Sequence, residues 1–122
     1  GFKNVVIFNR TKKLIKFKEV KKYTKAYSLI NRHLGCADLI INTTPTNPLN
    51  KNQIKLVSNK TLISDIVYRP KETLFLKNFK DNKKIYGISM LIEQAIPCFR
   101  LWFGFSPEVD RVLLKKLNNK IK

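Results

Sequence analysis

Arginine, histidine and cysteine are scarce in this chain of 122 residues, and each scarcity argues against a particular class of site. The single histidine, His33, is predicted near the carboxyl end of a helix without a partner carboxylate, which is a structural rather than a catalytic setting. The two cysteines, Cys36 and Cys98, belong to no Cys-x-x-Cys pair. They predict buried thiols in a reducing compartment, with neither a disulfide nor a metal site.

Long apolar runs and acidic side chains are also in short supply. No run approaches the roughly 20 apolar residues that span a bilayer, and Lys3 precedes only a short apolar stretch without a cleavage site, so we expect a cytoplasmic protein with no membrane contact. Eight acidic against 25 basic residues give a formal net charge of +17. This charge leaves open an alternative, a basic non-catalytic module that binds nucleic acid or another partner. Only five basic residues are arginine, the side chain best suited to reading guanine, so nucleic acid is the less favoured partner.

Segments with strand and helix patterns alternate along the chain, which predicts an α/β fold. Residues 4–8 and 38–42 are short apolar runs typical of buried parallel strands, and residues 23–34 carry apolar side chains at helical spacing before Gly35. The other predicted strands cover 61–67, 84–86 and a short stretch near 15–19, and the other predicted helices cover 72–82, 88–103 and a last helix capped at Ser106. This alternation predicts a parallel sheet covered by helices on both faces.

Polar or conformationally special residues follow the predicted strands where each strand ends. Residues 9–11 follow the first strand, residues 42–44 the second, Asp65 and Tyr68 come at the end of the third, and Gly87 follows the fourth. The carboxyl ends of parallel strands form one edge of a sheet, where such folds bind ligands. Residues 9–11, Asn-Arg-Thr, suit either the 2′-phosphate of a dinucleotide or a solvated basic turn. The amide and hydroxyls at 42–44 suit either a cofactor contact or a turn cap.

Four of these segments, in this order, resemble the shikimate dehydrogenase family. They are Asn9-Arg10-Thr11, the stretch ADLIINTTP at 37–45, the stretch SDIVYRPKET at 64–73 and the stretch GISMLIEQAIPCFRLWFG at 87–104. The resemblance covers nearly the whole chain. It implies an incomplete Rossmann-like parallel sheet with flanking helices and a carboxy-terminal helical pair. Residues 1–86 would form part of an NADP-binding domain, and residues 87–122 would close that domain and face a substrate domain.

The resemblance also implies an NADP-dependent oxidoreductase that interconverts 3-dehydroshikimate and shikimate in the chorismate pathway of aromatic amino acid biosynthesis. Tyr68 and Gln94 would hydrogen-bond the shikimate, and a glycine at position 87 would let the backbone approach the nicotinamide closely. The implied cofactor-binding residues are Asn9, Arg10, Thr11, Lys12, Lys13, Thr43, Ile66, Gly87 and Met90.

Two parts of that family's active site find no match in this chain, namely the glycine-rich phosphate loop and the catalytic lysine and aspartate of the substrate domain. No residue of the chain is therefore predicted to be catalytic, and we expect the chain alone to be inactive. For the full-length parent protein, the expected partner is a small molecule, shikimate or 3-dehydroshikimate, and a homodimer is the assembly considered.

Overall fold

A computed structural model describes residues 3–9 and 18–121 of the chain. Of the predicted 2′-phosphate segment, only Asn9 belongs to these residues, and Arg10, Thr11, Lys12 and Lys13 lie outside them. The described strands are β1 (Ile7–Asn9), β2 (Thr24–Ala26), β3 (Leu39–Asn42), β4 (Leu62–Asp65) and β5 (Lys84–Ile85). The helices are α1 (Lys18–Lys21), α2 (Asn31–Leu34), α3 (Lys51–Lys55), α4 (Leu74–Lys77), α5 (Gly87–Phe103) and α6 (Arg111–Lys120), with a 3-10 turn at Tyr27–Leu29.

All the pairs of described strands are parallel, as predicted, but they form two sheets rather than one. The first sheet joins β1 to β2, and the second has the order β3-β4-β5. In the second sheet, Leu39 lies opposite Leu62 and Asn42 lies opposite Asp65. The carboxyl ends of β3 and β4 are therefore level, and the loops that leave them start side by side.

One apolar core holds the two sheets together. Phe8 of β1 and Ile40 of β3 pack against the same cluster of buried side chains, and the Phe8 ring contacts the ring of His33 at a centroid distance of 5.4 Å. The buried members of the cluster are Ile30, Leu34, Leu49, Ile63, Phe75, Leu76 and Phe79. A large apolar side chain that is fully buried typically stabilises a fold by about 1.5–3 kcal/mol, so this cluster dominates the stability of the unit.

The amino-terminal elements differ from the sequence prediction. The first strand begins at Ile7 rather than at residue 4 and is exposed or half-buried, because it pairs along one edge only among the described residues. The helix predicted over 23–34 is divided into β2, a 3-10 turn and α2, since residues 24–26 pair with β1. The strand predicted near 15–19 is wrong at Lys18 and Glu19, which belong to α1.

Several smaller predictions also need correction. The helix predicted over 72–82 is only the single turn α4, near which Leu76 and Phe79 are buried in the core. The last helix is capped by Asp110, whose carboxylate accepts from the backbone N–H of Leu113 at 2.7 Å, and not by Ser106. Cys36 is an exposed thiol rather than a buried one, because it lies in the turn after α2.

The carboxy-terminal pair consists of α5 and α6, and α5 continues through Pro97. An apolar groove of about 270 Å³ lies between the two helices, with Leu91, Ala95 and Phe99 of α5 on one side and Leu113 and Leu117 of α6 on the other. Trp102, near the end of α5, is 73% exposed and lies outside the groove. Of the helices that the structure describes, none is long and apolar enough to span a bilayer.

Candidate functional site at the carboxyl ends of β3 and β4

Two loops leave adjacent strands at the same edge of the second sheet. We call residues 43–48, which follow β3, the β3 loop, and residues 66–73, which follow β4, the β4 loop. Ile66 begins the β4 loop and donates its backbone N–H to the carbonyl of Asn42 at 3.0 Å, so the two loops start in contact. The β4 loop borders an open cleft of about 430 Å³, lined by Ile66, Val67, Tyr68 and Arg69.

Buried polar side chains connect the two loops beneath this edge. Asp65, the last residue of β4, is 1% exposed, and its carboxylate accepts hydrogen bonds from Thr73 Oγ1 at 2.6 Å, from Val67 N at 3.0 Å and from Asn42 Nδ2 at 3.3 Å. Desolvating a carboxylate is costly unless its oxygens accept hydrogen bonds, and here three donors surround it. These contacts explain why a sheet of this kind contains an acidic residue at a buried position.

Asn42 organises the β3 loop in the same way. Its Oδ1 accepts from the backbone N–H of Thr44 at 2.9 Å and is 2.7 Å from the Thr44 hydroxyl. Its Nδ2 lies 3.2 Å from the carbonyl oxygens of Thr44 and Thr46 and 3.3 Å from Asp65 Oδ2, so two hydrogens are shared among three acceptors. The β3 loop is thus folded around one buried amide.

The far end of the β4 loop is fixed by further contacts. Thr73 caps α4, because its hydroxyl oxygen accepts from the backbone N–H of Leu76 at 3.3 Å. Lys84 of β5 donates to the carboxylate of Glu72 at 2.7 Å, and this hydrogen bond lowers the pKa of Glu72 from its ordinary value. The backbone N–H of Lys71 donates to the carbonyl of Ile121 at 2.8 Å, which joins the loop to the end of α6.

Gly87, the first residue of α5, packs directly on the β4 loop. A methyl group added there would lie 2.5 Å from the carbonyl oxygen of Ile66 and 2.7 Å from that of Val67. Because these are backbone atoms, they cannot rotate away. The structure therefore gives its own reason for a glycine at this position: α5 begins against the loop at a distance that excludes a side chain.

The predicted site residues do not all lie together. Ile66 and Tyr68 share the cleft, Gly87 contacts the loop that forms it, and Thr43 is an exposed residue directly after Asn42. Met90 and Gln94 lie farther along α5, are exposed, and are not among the described residues that line the cleft. Asn9 is exposed at the end of β1, in the other sheet. The 2′-phosphate prediction for residues 10–13 lies outside the described residues.

Sequence reasoning missed the residues that hold this site in shape. They are Asn42, Asp65 and Thr73, and the first two are the buried last residues of β3 and β4. A polar residue that is the last in a buried strand is the signal that could have identified them. In residues 3–9 and 18–121 there is no group of three histidine, cysteine, aspartate or glutamate side chains that could hold a metal ion.

Known proteins similar to this chain point to one family. No protein-family profile matches it. A shikimate dehydrogenase (NADP(+)) from Bartonella henselae is 34% identical over 93% of this chain and 44% of its own length. The chain belongs to the shikimate dehydrogenase family.

Solved structures of shikimate dehydrogenases also resemble the chain. The enzyme from Aquifex aeolicus has a TM-score of 0.67 and 26% identity, over 93% of this chain and 44% of that one. The enzyme from Thermus thermophilus, solved in complex with NADP(H) and shikimate, has a TM-score of 0.62 and 28% identity, over 81% of this chain and 39% of that one. The chain thus spans less than half the length of the shikimate dehydrogenases it matches.

Proposed function

We propose that the protein carrying this chain is an NADP-dependent oxidoreductase that interconverts 3-dehydroshikimate and shikimate. The observation that carries the proposal is the pair of loops at the carboxyl ends of β3 and β4, which are joined through Asn42 and Asp65, with an open cleft along the β4 loop. Ligands of parallel α/β sheets bind at this edge. The matched motifs of the shikimate dehydrogenase family include both loops, so family and geometry favour the same site.

The cleft suits one end of a dinucleotide and a small polar substrate. Its volume of about 430 Å³ falls in the range of roughly 300–1,000 Å³ that is common for small-molecule sites. Ile66 and Val67 offer an apolar surface for a flat ring, and the Tyr68 hydroxyl is a hydrogen-bond donor for a carboxylate or hydroxyl group. NADP, when bound, would accept a hydride from shikimate or, as NADPH, return one to 3-dehydroshikimate.

In this proposal, the residues of the chain bind and orient the reactants but move no proton. Ile66, Gly87 and Met90 would border the nicotinamide, and Tyr68 and Gln94 would hold the substrate. Asn9, residues 10–13 and Thr43 would contact the adenosine and phosphate end of the cofactor. The proton-transferring lysine and aspartate would belong to the substrate domain of the full-length parent, faced by residues 87–122. A homodimer of that parent stays a hypothesis, which sedimentation analysis would test.

The cofactor assignment is tested by calorimetry on the full-length parent protein with NADP and NAD. Arg10→Ala is expected to weaken NADP binding by about tenfold or more, because a charge-assisted hydrogen bond to a phosphate contributes about 1.5–3 kcal/mol, while NAD binding changes little. The matched control is Arg32→Ala, which removes the same charge from an exposed residue of α2. This helix precedes β3 and so leads to the amino end of that strand, away from the two loops.

The two variants separate a local contact from the attraction of a highly basic protein for any anion. Equal losses of NADP affinity in Arg10→Ala and Arg32→Ala would point to overall charge and remove the 2′-phosphate assignment. Shikimate-dependent reduction of NADP, followed by the absorbance of reduced nicotinamide, tests the reaction itself. A wild-type parent that binds neither NADP nor NAD would refute the proposed function.

A further inference from the structure

Asn42, Asp65 and Thr73 form one connected set of buried side chains, which we call the rim network. Their exposed fractions are 4%, 1% and 8%, and none of the three is among the residues that the family resemblance assigns to cofactor or substrate. They belong to three different elements, β3, β4 and the start of α4. A buried polar set that connects three elements costs desolvation, so its hydrogen bonds must fix a geometry that apolar packing alone would leave loose.

The network fixes the β4 loop at both ends. Asp65 Oδ1 accepts from the backbone N–H of Val67 at 3.0 Å, directly beneath the cleft, and Asp65 Oδ2 accepts from the Thr73 hydroxyl at 2.6 Å, where the loop enters α4. The loop is therefore closed onto a single carboxylate. Tyr68 and Arg69, which line the cleft, lie within the closed segment.

The same carboxylate also sets the position of the β3 loop. Asn42 Nδ2 lies 3.3 Å from Asp65 Oδ2, and the rest of the Asn42 amide is occupied by Thr44 and Thr46. A shift of Asp65 would thus be transmitted to both loops. The β3 and β4 loops are thus held in one relative arrangement by the Asp65 carboxylate, which is buried and would touch neither ligand.

We infer that Thr73, acting through Asp65, is a positioning residue that holds the β3 and β4 loops in the arrangement that binds NADP and shikimate. The inference rests on the proposed function of these loops. The Thr73 hydroxyl both donates to Asp65 Oδ2 and accepts from the backbone N–H of Leu76. Without it, the buried carboxylate loses its shortest hydrogen bond and the β4 loop loses its attachment at the α4 end.

The chain offers a matched control for this substitution. Thr61, at the opposite end of β4, is also buried, and its hydroxyl donates to the carbonyl of Ala37 at 2.7 Å. Thr73→Val and Thr61→Val therefore delete the same hydroxyl group, with the same change of shape. Thr61 directly precedes β4, whereas the Thr73 hydroxyl bonds to Asp65 at the carboxyl end of that strand. Only the Thr73 hydroxyl is at the edge with the two loops. Thr73→Ser keeps the hydroxyl and serves as the conservative variant.

The three variants are made in the full-length parent, and NADP affinity, the KM and kcat for shikimate, and the melting temperature are measured. Thr73→Val is expected to weaken NADP binding and raise the KM for shikimate by about tenfold, the effect of losing one well-formed buried hydrogen bond. Thr73→Ser is expected to bind both ligands as wild type does. Thr61→Val is expected to lower the melting temperature while leaving NADP affinity and KM at wild-type values.

The outcomes are decisive in each direction. Wild-type ligand binding by a folded Thr73→Val protein, or equal losses in Thr73→Val and Thr61→Val, would overturn the positioning role and leave the proposed function standing. A wild-type parent without NADP binding or turnover would refute the proposed function, and the role of Thr73 with it. If Thr73→Val does not fold, Thr73→Ala takes its place. It removes the same hydroxyl without leaving a methyl group against the Asp65 carboxylate, and unchanged NADP affinity there would equally overturn the inference.

Discussion

Replacing Gly87 with alanine is expected to destabilise the fold and displace the β4 loop. The added methyl carbon would lie 2.5 Å from the Ile66 carbonyl oxygen, 2.7 Å from the Ile66 carbonyl carbon and 2.7 Å from the Val67 carbonyl oxygen. Non-bonded heavy atoms are normally about 3.5–4.0 Å apart, so the overlap is close to 1 Å against three backbone atoms. Overpacking of this kind costs about 1–3 kcal/mol.

Gly35→Ala is the control, because the same change there meets no such obstacle. Gly35 is the C-cap of α2 with φ of −73°, a conformation that alanine adopts readily. The nearest atom to its added methyl group would be the Leu56 carbonyl oxygen at 3.4 Å, an ordinary contact. Alanine also restricts the unfolded chain, so we expect Gly35→Ala to raise the free energy of unfolding by about 0.4–1 kcal/mol.

Urea unfolding followed by far-ultraviolet circular dichroism measures both variants against the parent. The free energies of unfolding of Gly87→Ala and Gly35→Ala should differ by about 1.4–4 kcal/mol. NADP affinity should fall in Gly87→Ala alone, because the displaced backbone of Ile66 and Val67 forms part of the cleft. Equal unfolding midpoints for the two variants would refute the steric reasoning, and a stable Gly87→Ala protein with unchanged NADP affinity would refute the link between this contact and the cleft.

Three further substitutions test other parts of the structure. Gly104→Ala should lower the free energy of unfolding by about 1–2 kcal/mol in urea titrations, because φ at this C-cap of α5 is +76° and alanine is strained there. Asp110→Ala should cost about 0.5–2 kcal/mol, measured in the same way, by removing the cap of α6, whereas Asp110→Asn should be nearly neutral. Glu72→Gln should reduce the fall of the melting temperature as the pH is lowered into the acid range. The lowered pKa of Glu72 means that its pairing with Lys84 stabilises the fold above the ordinary glutamate pKa and is lost as pH falls through the lowered value. The same fall of the melting temperature at acid pH in Glu72→Gln and wild type would contradict a stabilising role for the Glu72–Lys84 pair.

Local sequence signals predicted those elements whose pattern is long or sharply bounded. The helix expected over 88–103 is α5, because its apolar pattern extends over four turns after Gly87. The strand β3 ends at Asn42 as predicted, since its apolar run stops there, whereas β4 ends at Asp65, two residues before the predicted end. The resemblance to the shikimate dehydrogenase family rests on the order of four motifs along the chain, and the comparisons with known proteins confirm the family.

Elements that depend on distant partners could not be predicted in the same way. Residues 24–26 lie in a segment whose apolar side chains have helical spacing, but they pair with β1 instead. Ile7 lies opposite Thr24, which is 17 residues later in the chain. The bond between Asn42 and Asp65 likewise depends on a register between residues 23 positions apart. For Gly87, the resemblance suggested room for a cofactor, whereas its contact with Ile66 and Val67 requires knowing how α5 meets the β4 loop.

The exposed side chain of Trp102 decides what fluorescence can report. It is the only tryptophan of the chain, and 73% of it is already in contact with solvent in the folded state. Its emission should therefore change little when the core around Ile63 and Phe75 melts. The same indole would shift to shorter wavelength if another protein surface covered the end of α5, which makes it an intrinsic probe of docking rather than of unfolding.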